Sequence, residues 1–214
     1  MTLVKICGIT NLDDALAAVA AGADALGFNF YQRSPRYITP EAARTIIDRL
    51  AAVGPPDLLT VGVFVNESAD AIKKVAGVAK VSALQLHGDE SPEYCKALKD
   101  YYLIKVFSTR DEFAPEMVLK YDVQAVMLDA VAEKVFGGTG KLSNWSAAKK
   151  TRELFPKLFL AGGLSAENVA EAIKQVRPFA VDACSRLESA PGRKDNDRVR
   201  AFVQAVRAAS SSVH

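Results

Sequence analysis

A cysteine ends the first apolar run of the chain, in the segment LVKICGIT at residues 3–10. A glycine follows Cys7, and the chain then turns into a predicted helix. In parallel α/β proteins, the carboxyl ends of strands are where side chains meet ligands. A thiol there can act as a nucleophile or a base if its pKa falls from about 8.5 towards neutrality. The alternative is that Cys7 is a small buried hydrophobe, as most free cysteines are; this segment alone leaves both interpretations open.

Polar side chains also follow most of the other apolar runs. An aspartate directly after the run 126–128 is costly to bury unless it is paired or protonated, and perturbed carboxyls often mark functional sites. A structural salt bridge from Asp129 to Lys5 or Lys105 is the alternative. The remaining polar residues at the ends of runs are Asn29, Asn66, Gln85, His87, Asp182, Cys184 and Ser185.

A pair of glycines follows the seventh apolar run. In many barrels the segments after strands seven and eight bind phosphate through backbone N–H groups and a helix N-terminus. Gly162 and Gly163 allow an anion to approach the backbone, and Ser165 is predicted to begin the next helix. The alternative is a plain turn, but the position after a seventh strand favours a phosphate site.

Strand-like runs alternate with helix-like runs from one end of the chain to the other. The strands are short apolar runs, as expected when both faces of a strand are covered. They are predicted at 3–6, 23–30, 58–65, 82–86, 102–107, 124–128, 157–161 and 179–182. Asn11, Thr39 and Ser91 are predicted to cap helices. Further helices are predicted at 67–76, 111–121, 145–154, 165–175 and 195–209.

This alternation predicts one fold, a single (β/α)8 TIM barrel domain over residues 1–214, with residues 210–214 as a frayed tail. The 214 residues lie near the small end of the range for that fold. A doubly wound open sheet is the alternative. Such a sheet usually carries a glycine-rich dinucleotide loop after its first strand, and the sequence CGIT at 7–10 is not one.

Composition excludes several classes of protein. A formal net charge of +2 provides no broad cationic field, which argues against a nucleic-acid partner. No run of about 18 apolar residues is present, and the first residues lack the layout of a signal peptide. Cys7, Cys95 and Cys184 are too few and too scattered for a disulfide framework or a zinc site. We therefore expect a cytoplasmic protein with no membrane partner and no metal, and a monomer because no exposed heptad or long apolar stripe is evident.

The chain resembles the phosphoribosylanthranilate isomerase family in a series of motifs that occur in the family's order. These are KICGIT at 5–10, SPRYI at 34–38, LQLHG at 84–88, LD at 128–129, GGTG at 137–140, LAGGL at 160–164 and PGRKD at 191–195. The resemblance implies a (β/α)8 barrel of tryptophan biosynthesis that uses neither cofactor nor metal. It also implies an Amadori rearrangement of N-(5-phosphoribosyl)anthranilate to 1-(2-carboxyphenylamino)-1-deoxyribulose 5-phosphate.

Matching to the family motifs also implies residue roles. Asp129 matches the general acid that protonates the furanose oxygen, and Cys7 matches the general base that removes the C2 proton of the Schiff base. These roles require opposed pKa perturbations of the two groups. Arg36 matches the contact to the anthranilate carboxylate, for which a planar guanidinium is suited. A solvated loop arginine is the alternative for Arg36, and is our interpretation of Arg33.

The resemblance also implies which residues surround the substrate. Gln85, His87 and Asp182 are expected to line the pocket, although a structural hydrogen bond is equally consistent with His87. The phosphate is expected at Gly162, Gly163, Cys184 and Ser185. The glycine-rich stretch FGGTGK at 136–141 is predicted to be a closing loop, with a surface linker as the alternative.

The segment after the eighth strand departs from the family pattern. Cys184, Ser185 and Arg186 stand where the family commonly has two serines and a glycine, and Arg186 lacks the freedom of glycine at positive φ. Its side chain either supports the phosphate electrostatically or points outward without a role. Asn144, where the family often has aspartate, should still cap a helix. Because strands one and eight are neighbours in a closed barrel, Cys7 and Cys184 are also hypothesised to pair on oxidation, unless they face different layers.

Three other functions stay open at this point. Another phosphosugar-isomerase barrel is one, but such enzymes usually use paired aspartates, and Cys7 argues against it. A phosphate-ligand binding module without catalysis is a second, and the presence of Cys7, Arg36 and Asp129 together argues against it. Thiol redox chemistry is weaker still, because the chain has no Cys-x-x-Cys motif.

Overall fold

Eight parallel strands close into a barrel in the computed structural model of the chain, which describes residues 1–109, 113–129 and 145–211. Each strand pairs with the next, and the last pairs with the first, where Ile6 lies opposite Ala183. The predicted (β/α)8 barrel is confirmed. The doubly wound open sheet is excluded because such a sheet has two unpaired edge strands, whereas here the first and last strands pair with each other. The strands are β1 (Leu3–Cys7), β2 (Ala25–Asn29), β3 (Leu59–Phe64), β4 (Ala83–Leu86), β5 (Tyr102–Ser108), β6 (Ala125–Asp129), β7 (Leu158–Ala161) and β8 (Ala180–Ala183).

Helices alternate with the strands and cover the outside of the barrel. The predicted caps form, since the side chains of Asn11, Thr39 and Ser91 each accept a hydrogen bond from a backbone N–H three residues later. Each bond satisfies one of the donors left unpaired at a helix start. The helices are α1 (Leu12–Ala21), α2 (Pro40–Val53), α3 (Ala69–Ala79), α4 (Pro92–Lys96), α5 (Ser146–Leu154), α6 (Val169–Val176) and α7 (Asn196–Ser211).

Two predicted helices differ from the structure. The helix predicted at 111–121 is a 3₁₀ helix at Pro115–Lys120, because the residue before a proline disfavours the helical region and Ala114 is extended. The prediction that Ser165 begins a helix is wrong. The backbone N–H of Ser165 donates to the side chain of Asn168, and α6 begins at Val169.

Alternation along the strands decides which side chains face the barrel interior. Val4 and Ile6 belong to the core between sheet and helices, so the residues between and after them, Lys5 and Cys7, face inward. The barrel interior is filled by apolar residues. These are Ala25, Val61, Ala83, Ile104, Val106, Ala125, Met127, Phe159, Ala161 and Ala180. Towards the carboxyl end of the barrel, four of the strands also contribute polar side chains, namely Asn29, Gln85, Asp129 and Asp182.

The C-terminal part of the chain returns to the N-terminus. After β8, a short hairpin of β9 (Glu188–Ala190) and β10 (Arg193–Lys194) precedes α7. Ser210 is 5% exposed, and its hydroxyl accepts a hydrogen bond from the backbone N–H of Thr2. The predicted frayed tail is therefore wrong for Ser210 and Ser211, which belong to α7, while 212–214 lie outside the described residues. In the part of the chain described here, no helix is long and apolar enough to cross a membrane.

Candidate active site

The carboxyl ends of the strands surround an open cavity of about 400 Å³. Every site residue predicted from the sequence lines it, together with Asn29 and Arg186. A cavity of about 460 Å³ beside Tyr31 and Phe64 contains none of them. The predicted residues in the lining are Cys7, Arg36, Gln85, His87, Asp129, Gly162, Gly163, Asp182, Cys184 and Ser185.

A buried ion pair forms the floor of the cavity. The Nζ atom of Lys5 lies 2.7 Å from Oδ1 of Asp182, and the Lys5 side chain is fully buried. Burial alone would lower the pKa of Lys5, but the Asp182 carboxylate and Cys7 hold it above its ordinary value. A Cβ at Gly27 of β2 would lie 2.7 Å from the Cys7 sulfur and 3.0 Å from Lys5 Nζ. Glycine at this position therefore makes room for the thiol and the ammonium group side by side.

The thiol of Cys7 is unusually acidic. The neighbouring Cys184 thiol, opposed by burial and assisted by the positive charges of Lys5 and Lys194, lowers the pKa of Cys7 to about 6. Cys7 and burial raise the pKa of Cys184, whose thiol donates to Oε1 of Glu188 at 3.9 Å. A lowered pKa favours the thiolate of Cys7, which is the form that accepts protons.

Gln85 and His87 of the fourth strand and its following turn connect to Asp129. The side-chain amide of Gln85 donates to Nδ1 of His87 at 3.2 Å, which assigns the ring proton to Nε2. Burial lowers the pKa of His87, so the ring is neutral, and Nε2 lies 3.8 Å from Oδ2 of Asp129. Lys5 and Lys105, the lysines considered as salt-bridge partners of Asp129, form ion pairs with Asp182 and Glu90 respectively.

Arg36 is held by a glutamate that the sequence analysis did not assign. Its Nε and Nη2 atoms donate to the two carboxylate oxygens of Glu188 at 2.8 and 2.6 Å. Lys194 Nζ donates to the same carboxylate at 2.9 Å. Burial would raise the pKa of Glu188, but these cations lower it. Gly8, which has a φ of 77°, packs against the Arg36 side chain. A Cβ on Gly8 would lie 2.7 Å from Arg36 Cδ, so this position has no space for a larger residue.

Glu188 and Lys194 carried a weak signal in the sequence. Glu188 lies within the segment after the eighth strand, and Lys194 within the PGRKD motif that carried part of the family resemblance. Nothing in their spacing predicts that the β9–β10 hairpin folds back over Arg36. Their pairing depends on the tertiary path of the chain after β8.

A second buried ion pair, also missed by the sequence analysis, shapes the turn after β4. Lys105 Nζ donates to the carbonyl of Gly88 at 2.6 Å and to Glu90 at 2.8 Å. Glu90 in turn accepts from the backbone N–H groups of Gly88 and Asn66. These bonds position the turn that presents His87 to the cavity.

The predicted phosphate end of the cavity combines two glycines with the turn after β8. Gly162 and Gly163 adopt φ values of 100° and 68°, which favour glycine. Ser185 and Arg186 lie in a 3₁₀ turn at Ser185–Leu187. Arg186 is not among the residues with positive φ. An arginine at this position, where the family commonly has glycine, therefore causes no backbone strain.

Two predictions lie outside the described residues, namely the closing loop at 136–141 and the helix cap at Asn144. Within the described ranges, no group of three or more His, Cys, Asp or Glu side chains could hold a metal ion.

A family model described as N-(5'-phosphoribosyl)anthranilate isomerase matches residues 4–205. The chain belongs to this family. An N-(5'-phosphoribosyl)anthranilate isomerase of Trichlorobacter lovleyi is 48% identical over 204 residues, which cover 95% of this chain and 97% of the relative. The predicted family, and with it the prediction of an isomerase, is confirmed.

Solved structures of the isomerase family share the barrel. The crystal structure of phosphoribosyl anthranilate isomerase from Thermotoga maritima has a TM-score of 0.87 and 45% identity, covering 97% of this chain and 100% of that one. A phosphoribosyl anthranilate isomerase in complex with reduced 1-(o-carboxyphenylamino)-1-deoxyribulose 5-phosphate has a TM-score of 0.84 and 42% identity, with the same coverage.

Proposed function

We propose that the chain catalyses the Amadori rearrangement of N-(5'-phosphoribosyl)anthranilate to 1-(2-carboxyphenylamino)-1-deoxyribulose 5-phosphate, a step of tryptophan biosynthesis. Asp129 is the general acid and Cys7 the general base. The observation that carries the proposal is that an acidic thiol and a carboxyl group line one cavity of about 400 Å³ in a member of this isomerase family. Neither group alone would account for a reaction that needs one proton delivered and another removed.

The proposed reaction proceeds by proton transfers. Asp129 gives a proton to the furanose oxygen, the C1–O bond breaks, and the nitrogen lone pair forms the C1=N bond of a protonated Schiff base. The Cys7 thiolate then takes the proton from C2, the electrons of that C–H bond form a C1=C2 double bond, and the C1=N π electrons return to the nitrogen as a lone pair. The resulting enaminol gains a proton at C1 and loses the hydroxyl proton at C2, which leaves the ketone. These steps require no cofactor or metal.

Arg36 is proposed to bind the anthranilate carboxylate. Glu188 already engages Nε and Nη2 of the guanidinium, so its orientation is set before substrate arrives, and we assign Nη1 to the carboxylate. A group held in place loses less entropy on binding than a free arginine side chain would. Gln85 and His87 are assigned to the part of the cavity beside the aromatic ring. A buried oxygen of Gln85 has no partner among the described residues and is a further acceptor there.

The other end of the cavity is proposed to hold the sugar phosphate. Backbone N–H groups around Gly162 and Gly163 and at Cys184 and Ser185 are suited to an anion. Asp182, which Lys5 fixes at the floor, is assigned to the ribose hydroxyls. Asp182 is engaged by Lys5 at the floor of the cavity and is not paired with Asp129 as a second catalytic aspartate would be, which argues against the phosphosugar isomerases that use paired aspartates. A monomer in the cytoplasm stays the prediction for the state and location of the enzyme.

The test follows the fluorescence of phosphoribosylanthranilate as it disappears. We expect turnover by the wild type, and a loss of roughly 10²- to 10⁴-fold in kcat for Cys7→Ala and for Asp129→Asn, because each removes one proton-transfer group. Cys95→Ala is the matched control, since Cys95 is buried in α4 and does not line the cavity. Thermal melting shows whether each variant is folded. Wild-type turnover by folded Cys7→Ala or Asp129→Asn would contradict the assigned roles.

A further inference from the structure

Two cysteines from opposite ends of the chain meet at the closure of the barrel. Cys7 is the last residue of β1, and Cys184 directly follows β8. These strands are parallel neighbours with Ile6 opposite Ala183, so Cys7 and Cys184 are the next residues across from one another. Neighbouring strands lie about 4.8 Å apart, which is within the range of about 4.4 to 6.8 Å that a disulfide spans between Cα atoms.

The two sulfur atoms face the same space. Both cysteines line the cavity, and each thiol shifts the pKa of the other. A Cβ at Gly8 would lie 2.9 Å from the Cys184 sulfur, so the glycine after Cys7 allows the second sulfur to approach. The alternative interpretation from the sequence, that the two side chains face different layers, is therefore wrong.

The surroundings of the pair favour attack by Cys7. Lys5 and Lys194 help to lower the pKa of Cys7, whereas burial and the neighbouring Cys7 raise the pKa of Cys184 even though Lys194 Nζ lies 3.8 Å from its sulfur. Thiolates, and not thiols, react with peroxides. Cys95 provides the contrast, because it is fully buried in α4 and burial raises its pKa.

We propose that Cys7 and Cys184 form a reversible oxidation site for hydroperoxides. The Cys7 thiolate attacks one peroxide oxygen, the O–O bond breaks, and hydroxide leaves and takes up a proton as water, so that Cys7 becomes a sulfenic acid. The sulfur of Cys184 then attacks the Cys7 sulfur, the S–O bond breaks, and a second water leaves with the Cys184 proton. The two thiols are oxidised to one disulfide, and the peroxide is reduced to water.

The disulfide has two consequences. It removes the thiolate from the cavity, and it protects Cys7 from further oxidation to the irreversible sulfinic acid. The loss of activity rests on the proposed role of Cys7 as the base. The formation of the disulfide does not, because it is measured by mass and not by turnover.

The test treats reduced enzyme with hydrogen peroxide and maps its cysteines by mass spectrometry without reduction, and then adds dithiothreitol. For the wild type we expect a Cys7–Cys184 cross-linked peptide lighter by two hydrogen atoms, a loss of roughly 100-fold or more in activity, and recovery with dithiothreitol. Cys95→Ala should behave as the wild type does. Cys184→Ser should give no cross-link. Its Cys7 should be oxidised further to sulfinic acid, and dithiothreitol should not restore its activity. The activity of this variant is compared with that of the same variant before treatment.

Several outcomes separate the inference from the proposed function. A wild type that accumulates Cys7 sulfinic acid without a cross-link would overturn the inference, and so would a Cys184→Ser variant that recovers as fully as the wild type. A cross-link that forms while turnover is unchanged would keep the oxidation site and would overturn the role of Cys7 as the base.

Discussion

The pKa of the Cys7 thiol is lowered by a second thiol and by two ammonium groups. The second thiol is Cys184, the ammonium groups belong to Lys5 and Lys194, and the carboxylate of Asp182 opposes them. Cys184 has the largest of these effects on the pKa of Cys7. A residue at a position where the family commonly has serine thus contributes to the acidity of the proposed base.

This dependence predicts how the pH profile responds to substitution. A base must be unprotonated to act, so kcat/KM of the wild type should rise with pH through an apparent pKa of about 6. Cys184→Ala removes the neighbouring thiol and should move this limb to higher pH, whereas Cys184→Ser keeps a group that can donate a hydrogen bond and should leave it near the wild-type position. The measurement is kcat/KM between pH 5 and 9. Coincident limbs for the alanine variant and the wild type would show that Cys184 does not set the acidity of Cys7.

Arg186 allows a test of the phosphate end of the cavity. It lines the cavity beside Ser185 without backbone strain, so its cationic side chain is available to the phosphate. We expect Arg186→Gly to raise KM by roughly three- to tenfold with little change in kcat, as for the loss of an exposed charge contact worth about 1 kcal/mol. Arg33→Gly, in a different cavity, is the control. An unchanged KM for Arg186→Gly removes the phosphate role.

Among the elements, β1 illustrates how a short strand serves both stability and chemistry. Its outward residues Val4 and Ile6 pack in the core outside the barrel, while Lys5 lies at the floor of the cavity and Cys7 lines it. Lys5 is isolated from solvent and paired with Asp182 on the neighbouring strand β8. The two charges thus join the first and last strands at the floor of the cavity.

We expect Lys5→Met to lower the free energy of unfolding by about 3–5 kcal/mol, because it leaves the carboxylate of Asp182 buried without its partner. Arg44→Ala breaks an exposed ion pair with Asp48 within α2 and should cost at most about 1 kcal/mol. Urea denaturation followed by circular dichroism measures both. A loss for Lys5→Met no greater than that for Arg44→Ala would contradict a stabilising role of the buried pair.

The predicted helix starts are correct where a capping residue leads to one local structure, and wrong where the same residues can form a turn instead. Helix starts at Asn11, Thr39 and Ser91 follow from contacts three residues away, and such contacts are visible in a sequence. The contacts before α6 are equally local, but there the Asn168 side chain bonds both Ser165 and Gly163 and holds this segment as a turn. A local pattern cannot distinguish that turn from the first turn of a helix.

At the level of the whole molecule, the two ends of the chain are joined at the amino end of the barrel. Asp24, directly before β2, accepts a hydrogen bond from the backbone of Val4 at 2.7 Å and from Arg207 of α7 at 2.8 Å. Arg207 also donates to the carbonyls of Thr2 and Gly22. Substrate is proposed to bind at the opposite end, so this network is expected to serve stability alone.

We therefore expect Asp24→Ala to lower the free energy of unfolding by about 1–3 kcal/mol, because it removes the acceptor of two partly buried donors, with kcat/KM within about twofold of the wild type. Asp129→Asn is the converse variant and should lose activity with little change in stability. Urea denaturation and the fluorescence assay on both variants provide the comparison. A large loss of kcat/KM in folded Asp24→Ala would contradict the separation of the two ends of the barrel.

The sequence by itself determined the alternation of short apolar strands with capped helices, and through it the (β/α)8 barrel and the family. It also determined which polar residues end the strands, since strand ends are recognisable from local patterns. Only the tertiary structure decided how these residues combine. Arg36 and Glu188 are 152 residues apart in the chain, and Lys5 and Asp182 are 177 apart. The acidity of Cys7 and the orientation of Arg36 depend on such pairs, because electrostatic and hydrogen-bond energies depend on distances between atoms, which the closure of the barrel sets.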